Sequence, residues 1–308
     1  MGLRAGTVIA GLLGFLNLLV QPPPARADGL LRLYVFPSPS GIDWSSPGAL
    51  ARSTLLNELT PSHHERRHSI GHVNVELRCP IAGGGARKIL TGMTTASGGS
   101  SSEFQALFGD KIGLGVLFRS FPGRLESPDE VRAQLPGRWK RGDISLLEYP
   151  ISDAACERLM LFHDHYEQEG MAANYGLPNR PRHGEGGGCS AYAITYLELA
   201  GILTPEMRDR WSRTIRVPVD LIGGREADTP PRRVSFFRIL FSFWRGLAKS
   251  GEEFREVRFW DPDAMHQWVR EVFLSSRTDY QRISLDESLG LIRDERTTPV
   301  PAEPIFLP

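Results

Sequence analysis

The stretch RHGEGGGCSAYAITYLELAG, residues 182–201, decides how the rest of the chain is read. Gly186, Gly187 and Gly188 end a loop, and Cys189 follows at once. Ser190, Ala191 and Ala193 keep the first turn of the next segment small. That segment is an apolar helix, which Gly201 stops. A helix N-terminus carries unpaired N–H groups and a partial positive charge. Both favour a thiolate over a thiol, and the thiolate is the nucleophile. The glycines let a substrate backbone approach closely. The N–H groups of Cys189 and its neighbours are placed to serve as an oxyanion hole. The plain alternative is an inert buried cysteine or half of a disulfide.

A thiol nucleophile needs a base that takes its proton and later protonates the leaving group. The stretch HSIGHVNVEL, residues 68–77, offers His72 at the start of an alternating, β-rich run that predicts a strand over 72–77. Three glycines at 83–85 make a turn, and 88–95 is expected to return as the second strand of a hairpin. His183 is the alternative base, but it sits on the glycine-rich loop, where a ring is held less rigidly.

The order of these parts, G-H-V-N-V-E-L around His72 and G-G-C-S-A-Y-A around Cys189 far downstream, resembles the circularly permuted papain-like hydrolases. Those are permuted relatives of the NlpC peptidases, a group that includes lecithin:retinol acyltransferase-like proteins. The likeness spans roughly residues 70–203. It implies an amidase, peptidase or acyltransferase with Cys189 as nucleophile and His72 as base. It also implies a third polar residue on the strand after the histidine, where this chain has only Lys88, Thr91, Thr94 and Thr95. Asn74 and Glu76 share a strand face with His72 by alternation, so Asn74, Glu76 or Thr91 is left to orient the imidazole.

The N-terminus reads as a secretory signal over residues 1–27. Arg4 supplies the positive charge, 8–20 is apolar, Pro22–Pro24 break the helix, and Ala25-Arg26-Ala27 ends in the small-x-small cleavage pattern. Export to the periplasm or the exterior follows as the expectation. The 36 basic and 36 acidic residues balance, and removing Arg4 and Arg26 leaves 34 against 36. Such a charge gives no reason to expect nucleic acid. The three cysteines are Cys79, Cys156 and Cys189. An oxidising compartment pairs cysteines and an odd count leaves one thiol free. The chemistry around Cys189 argues that it is the free one, with Cys79 and Cys156 as a possible pair, though spacing does not choose the pairing.

Elsewhere, strands are expected over 30–36, 114–118 and 144–149. Helices are expected over 47–59, from Ser127, over 153–169, from Thr204 and over 261–273. His64, His68 and His72 are spaced four apart, but Ser69, Ile70 and Gly71 argue against a helix there, so a solvated loop is preferred and no metal is assigned. The aromatic, cationic segment 234–250 reads as an amphipathic helix packed on the core, with peripheral membrane contact as the second reading. A G-x-S-x-G elbow and a phosphate loop are absent, and no cofactor is implied. The expected architecture is α+β. A permuted papain-like domain over 28–215 carries a small antiparallel sheet packed on the Cys189 helix, and 216–308 forms a mostly helical extension with a Pro-rich tail. Function is expected to be an exported cysteine-dependent hydrolase or acyltransferase acting on a cell-envelope peptide or lipid, or else a non-catalytic envelope binding protein on the same scaffold.

Overall fold

The computed structural model describes residues 29–59, 68, 70–81, 83–97, 106, 109–224, 232–242 and 253–308. The signal segment, His64 and residues 243–250 lie outside them. Among the described residues the chain is mixed α and β, with seven α-helices and several small sheets. The strands are β1 (Gly29–Phe36), β2 (His72–Pro80), β3 (Ala86–Thr91), β4 (Met93–Thr95), β5 (Phe121–Leu125), β6 (Ser145–Ile151), β7 (Asn174–Tyr175), β8 (Ser212–Pro218), β9 (Phe254–Trp260), β10 (Gln281–Leu285) and β11 (Ser288–Ile292). The helices are α1 (Pro47–Leu59), α2 (Pro128–Arg141), α3 (Asp153–Gln168), α4 (Cys189–Leu199), α5 (Pro205–Trp211), α6 (Phe236–Leu240) and α7 (Pro262–Leu274).

The main sheet runs β10-β11-β6-β1-β2-β3. All its pairings are antiparallel except β11 with β6. Alternation along the central strands sets the two faces. Leu31, Leu33 and Val35 of β1, with Val73, Val75 and Leu77 of β2, are fully buried in one core with residues of α3, α4 and α7. Tyr34 and Phe36 of β1, with Leu146, face the other way and pack with Leu135 and Trp139 of α2. The Cys79–Cys156 disulfide joins β2 to α3 through that first core and leaves Cys189 free and buried.

Sequence punctuation accounts for the helix starts. Ser127 makes a full capping box with Glu130, and Ser152, Thr204 and Asp261 cap α3, α5 and α7. Residues 114–118, expected as a strand, form a 3-10 turn packed with Val217, Leu221, Ile222, Val234 and Val257. An apolar run that short cannot distinguish the two states. The returning strand of the hairpin breaks at Gly92: β3 stays in the main sheet, while β4 turns away to pair with β5.

The expectation of a mostly helical segment 216–308 gives way to a mixed one. It holds α6 and α7, and also β9, β10 and β11. The predicted boundary at 215/216 falls inside β8, which pairs with β9 as a hairpin. β11 is a member of the main sheet beside β6. In the aromatic segment 234–250 the described helix spans only 236–240, with Ile239 buried and Phe237 and Phe241 exposed. No helix among the described residues is long and apolar enough to cross a membrane. The Pro-rich tail is extended and docked. Buried Arg182 donates to Ile305 O at 3.0 Å and Pro304 O at 2.6 Å, and Phe306 rests on Phe162. This anchors the segment that leads into the glycine loop before Cys189.

Candidate active site

Two elements deliver the reacting side chains. β2 begins at His72, opposite Phe36 of β1. α4 begins at Cys189 and packs on β2. The residue before the cysteine, Gly188, is the helix N-cap and has no side chain to satisfy the first turn, so the helix N–H groups stay open toward the thiol. Gly186 holds φ at 89°, and a Cβ there would lie 2.1 Å from Asn174 O. Only glycine permits the loop to pass at that point.

Cys189 Sγ lies 3.9 Å from both Gly71 O and Tyr175 Oη, and the His72 ring and the Val73 N–H are its other polar neighbours. His72 Nε2 is 2.7 Å from Glu126 Oε2, which leaves Nδ1 as the nitrogen on the thiol side. Asn74 Nδ2 donates to the same carboxylate oxygen at 2.5 Å, and Gln134 Nε2 donates to Oε1 at 3.2 Å. The group is shielded from water: the His72 and Glu126 side chains are 2 % and 4 % exposed.

Burial and charge oppose one another here, and charge prevails. Burial disfavours the charged imidazole, but Glu126 and the Cys189 thiolate raise His72 to about 10. Burial pushes the Cys189 thiol up, but the His72 imidazolium, with Val73 N–H and the Tyr175 hydroxyl, brings it below its ordinary value. Burial pushes Glu126 up as well, and His72, His68 and the Asn74 amide hold it well below the usual carboxylate range. The His72 imidazolium favours ionisation of the Cys189 thiol, and the Glu126 carboxylate favours the imidazolium.

Glu126 is the member that sequence reasoning missed. It stands in the connection between β5 and α2, one residue before the helix cap Ser127. Its backbone N–H donates to Gly92 O at 2.8 Å, and Thr91 Oγ1 donates to its carbonyl at 2.8 Å. Thr91 thus fixes the carboxylate's backbone rather than the imidazole. Gly92 has no room for a side chain, since a Cβ would lie 2.1 Å from Asn74 Nδ2 and 2.8 Å from Glu126 Oε2. A buried acid just before a helix cap, in a chain that lacked an orienting group, was the one signal on offer.

The other expected residues divide. Asn74 lies at the site, 3.1 Å from His72 Nε2. Glu76 does not: it hydrogen-bonds with Tyr34 and forms an ion pair with Arg32 at 3.3 Å, farther along β2. His183 turns to Pro308 O at 2.8 Å, drawn there by the docked tail, and is not the base. His68 joins the group unexpectedly, stacked on His72 with ring centroids 3.7 Å apart.

A cavity of about 210 Å³ opens onto Cys189. Leu50, Ala51, Leu117, Phe121, Ile239 and Phe259 are among the residues that line it, and the only charged lining residues among those described are Glu58, Arg119 and Asp261. Searches against protein-family models, curated proteins and solved structures found no match to this chain.

Proposed function

We propose that this protein is an exported cysteine-dependent hydrolase or acyltransferase that cleaves an ester or amide, on a permuted papain-like arrangement of histidine strand and cysteine helix. One observation carries the reading: Cys189 at an uncapped helix start meets His72, whose far nitrogen is held by buried Glu126 at 2.7 Å. A structural cysteine has no need of a base, and a structural histidine has no need of a buried carboxylate behind it.

The thiolate adds to the substrate carbonyl, and the oxyanion is received by the open N–H groups at the start of α4, with the Tyr175 hydroxyl beside them. His72 then gives its proton to the departing alcohol or amine, leaving an acyl group on Cys189 Sγ. Water, or an acceptor alcohol or amine, attacks the thioester with His72 as base and restores the thiol. Of the two substrate classes, envelope peptides and lipids, the cavity favours an apolar acyl group: its wall is mostly aliphatic and aromatic, and a polar peptide would lose hydration there with few partners to replace it. Export is favoured by the signal-like N-terminus and by the Cys79–Cys156 disulfide, which suits an oxidising compartment.

The test is acyl-enzyme trapping. An activated long-chain acyl ester should add one acyl group, located by mass spectrometry on Cys189 and absent in Cys189→Ser. A thiol that stays unmodified in the folded, reducible-thiol-verified protein overturns the proposal in favour of a non-catalytic binding protein.

A further inference from the structure

We propose that His68, His72 and Glu126 form a binding site for a divalent metal ion of the zinc type. The three side chains are 10 %, 2 % and 4 % exposed, and each offers one ligand atom within 4.8 Å of the others. His72 Nε2 lies 2.7 Å from one carboxylate oxygen of Glu126, and His68 Nε2 lies 3.8 Å from the other. Two imidazole nitrogens and one carboxylate make a donor set that zinc takes, with a fourth position left for water.

The geometry is close to what an ion needs. Tetrahedral ligands at about 2.0–2.1 Å stand about 3.4 Å apart, so the widest separation must close by roughly 1.4 Å. The rings lie 11° from parallel, and a tilt of His68, at the chain-entry end of β2, brings its lone pair toward that of His72. The remaining polar neighbours, Asn74 Nδ2 and Gln134 Nε2, are neutral amides that already hold the carboxylate in place.

The ion replaces the proton on His72 Nε2, and that proton leaves to solvent.

Zn²⁺ itself is the probe, and calorimetry on Cys189→Ser removes the thiolate as a competing ligand. One Zn²⁺ per chain should bind, with a proton released, and affinity should fall at least tenfold when His68→Ala is added. A Cys189→Ser protein that binds no zinc, or binds it as well without His68, overturns the site.

Discussion

Glu126→Gln is the sharpest probe of the candidate site, because it removes a charge and keeps a shape. The carboxylate lies 2.7 Å from His72 Nε2. At an effective dielectric of about 20, a pair of unit charges at that distance interacts by about 6 kcal/mol, or some four pH units. That exceeds the cost of burying the imidazolium, which is why His72 stands at about 10. A glutamine still accepts the Nε2 hydrogen through its carbonyl, but it supplies no charge. Burial then returns His72 to or below its ordinary 6.5, and the Cys189 thiol, without its cation, returns to 8.5 or above. At pH 7 about 3 % of such a thiol is ionised, so alkylation by iodoacetamide at pH 7 should be slower than in the wild type, and the pH–rate profile should move toward higher pH. The assay is the pH–rate profile of labelling in EDTA, with thermal unfolding as the check that the variant is folded. A folded Glu126→Gln protein with the wild-type rate and profile would refute the claim that Glu126 supports the ion pair.

Four further outcomes are expected. Gly92→Ala should disturb the site without touching its chemistry: the added methyl meets Asn74 and Glu126, so labelling of Cys189 should slow while the disulfide and the bulk of the fold persist by circular dichroism. Stability should depend on pH through the coupled pair. His72 stands above its unfolded value near 6.5, so its share is present below pH 6.5 and is lost as the pH rises through about 10. Cys189 stands below its unfolded value near 8.5, so its share is present above pH 8.5 and is lost as the pH falls through its folded value. Between its folded value and 8.5 the Cys189 slope opposes that of His72; above 8.5 only the His72 share changes, so denaturant stability should fall by about 2 kcal/mol by pH 10, and in Cys189→Ser, which lacks the opposing slope, the decline should begin near 6.5. Reducing the Cys79–Cys156 bridge, which closes a separation of 77 residues, should lower stability by about 4 kcal/mol, read from urea unfolding with and without reductant. Ala51→Phe, on the cavity wall, should shift ester hydrolysis toward shorter acyl chains, and an unchanged chain-length profile would show that the cavity does not receive the acyl group.

Local sequence carries local structure, and most helices and strands followed from it. Ser127, Ser152, Thr204 and Asp261 cap helices because a short polar side chain before an apolar period satisfies free N–H groups wherever it occurs. The strand at 72–80 and the helix from Cys189 were legible by the same logic, period two against an apolar run behind glycines. The candidate nucleophile, the candidate base and the free thiol therefore came from residues 68–77 and 182–201 alone. Where periodicity was short, as at 114–118, the reading failed, because five apolar residues fit a buried turn as well as a strand.

Only the tertiary structure could decide what meets across the fold. Glu126 lies 54 residues from His72, in a connection whose sequence announces nothing but a helix start; Gly92 O and Thr91 bring it beneath the imidazole. β11 enters the main sheet from the far end of the chain, and the tail draws His183 away from the thiol. Periodicity and caps report what a residue does to its neighbours within a turn or two. A charge that acts through space at 2.7 Å depends on which distant segments the core brings together, and no local pattern encodes that distance.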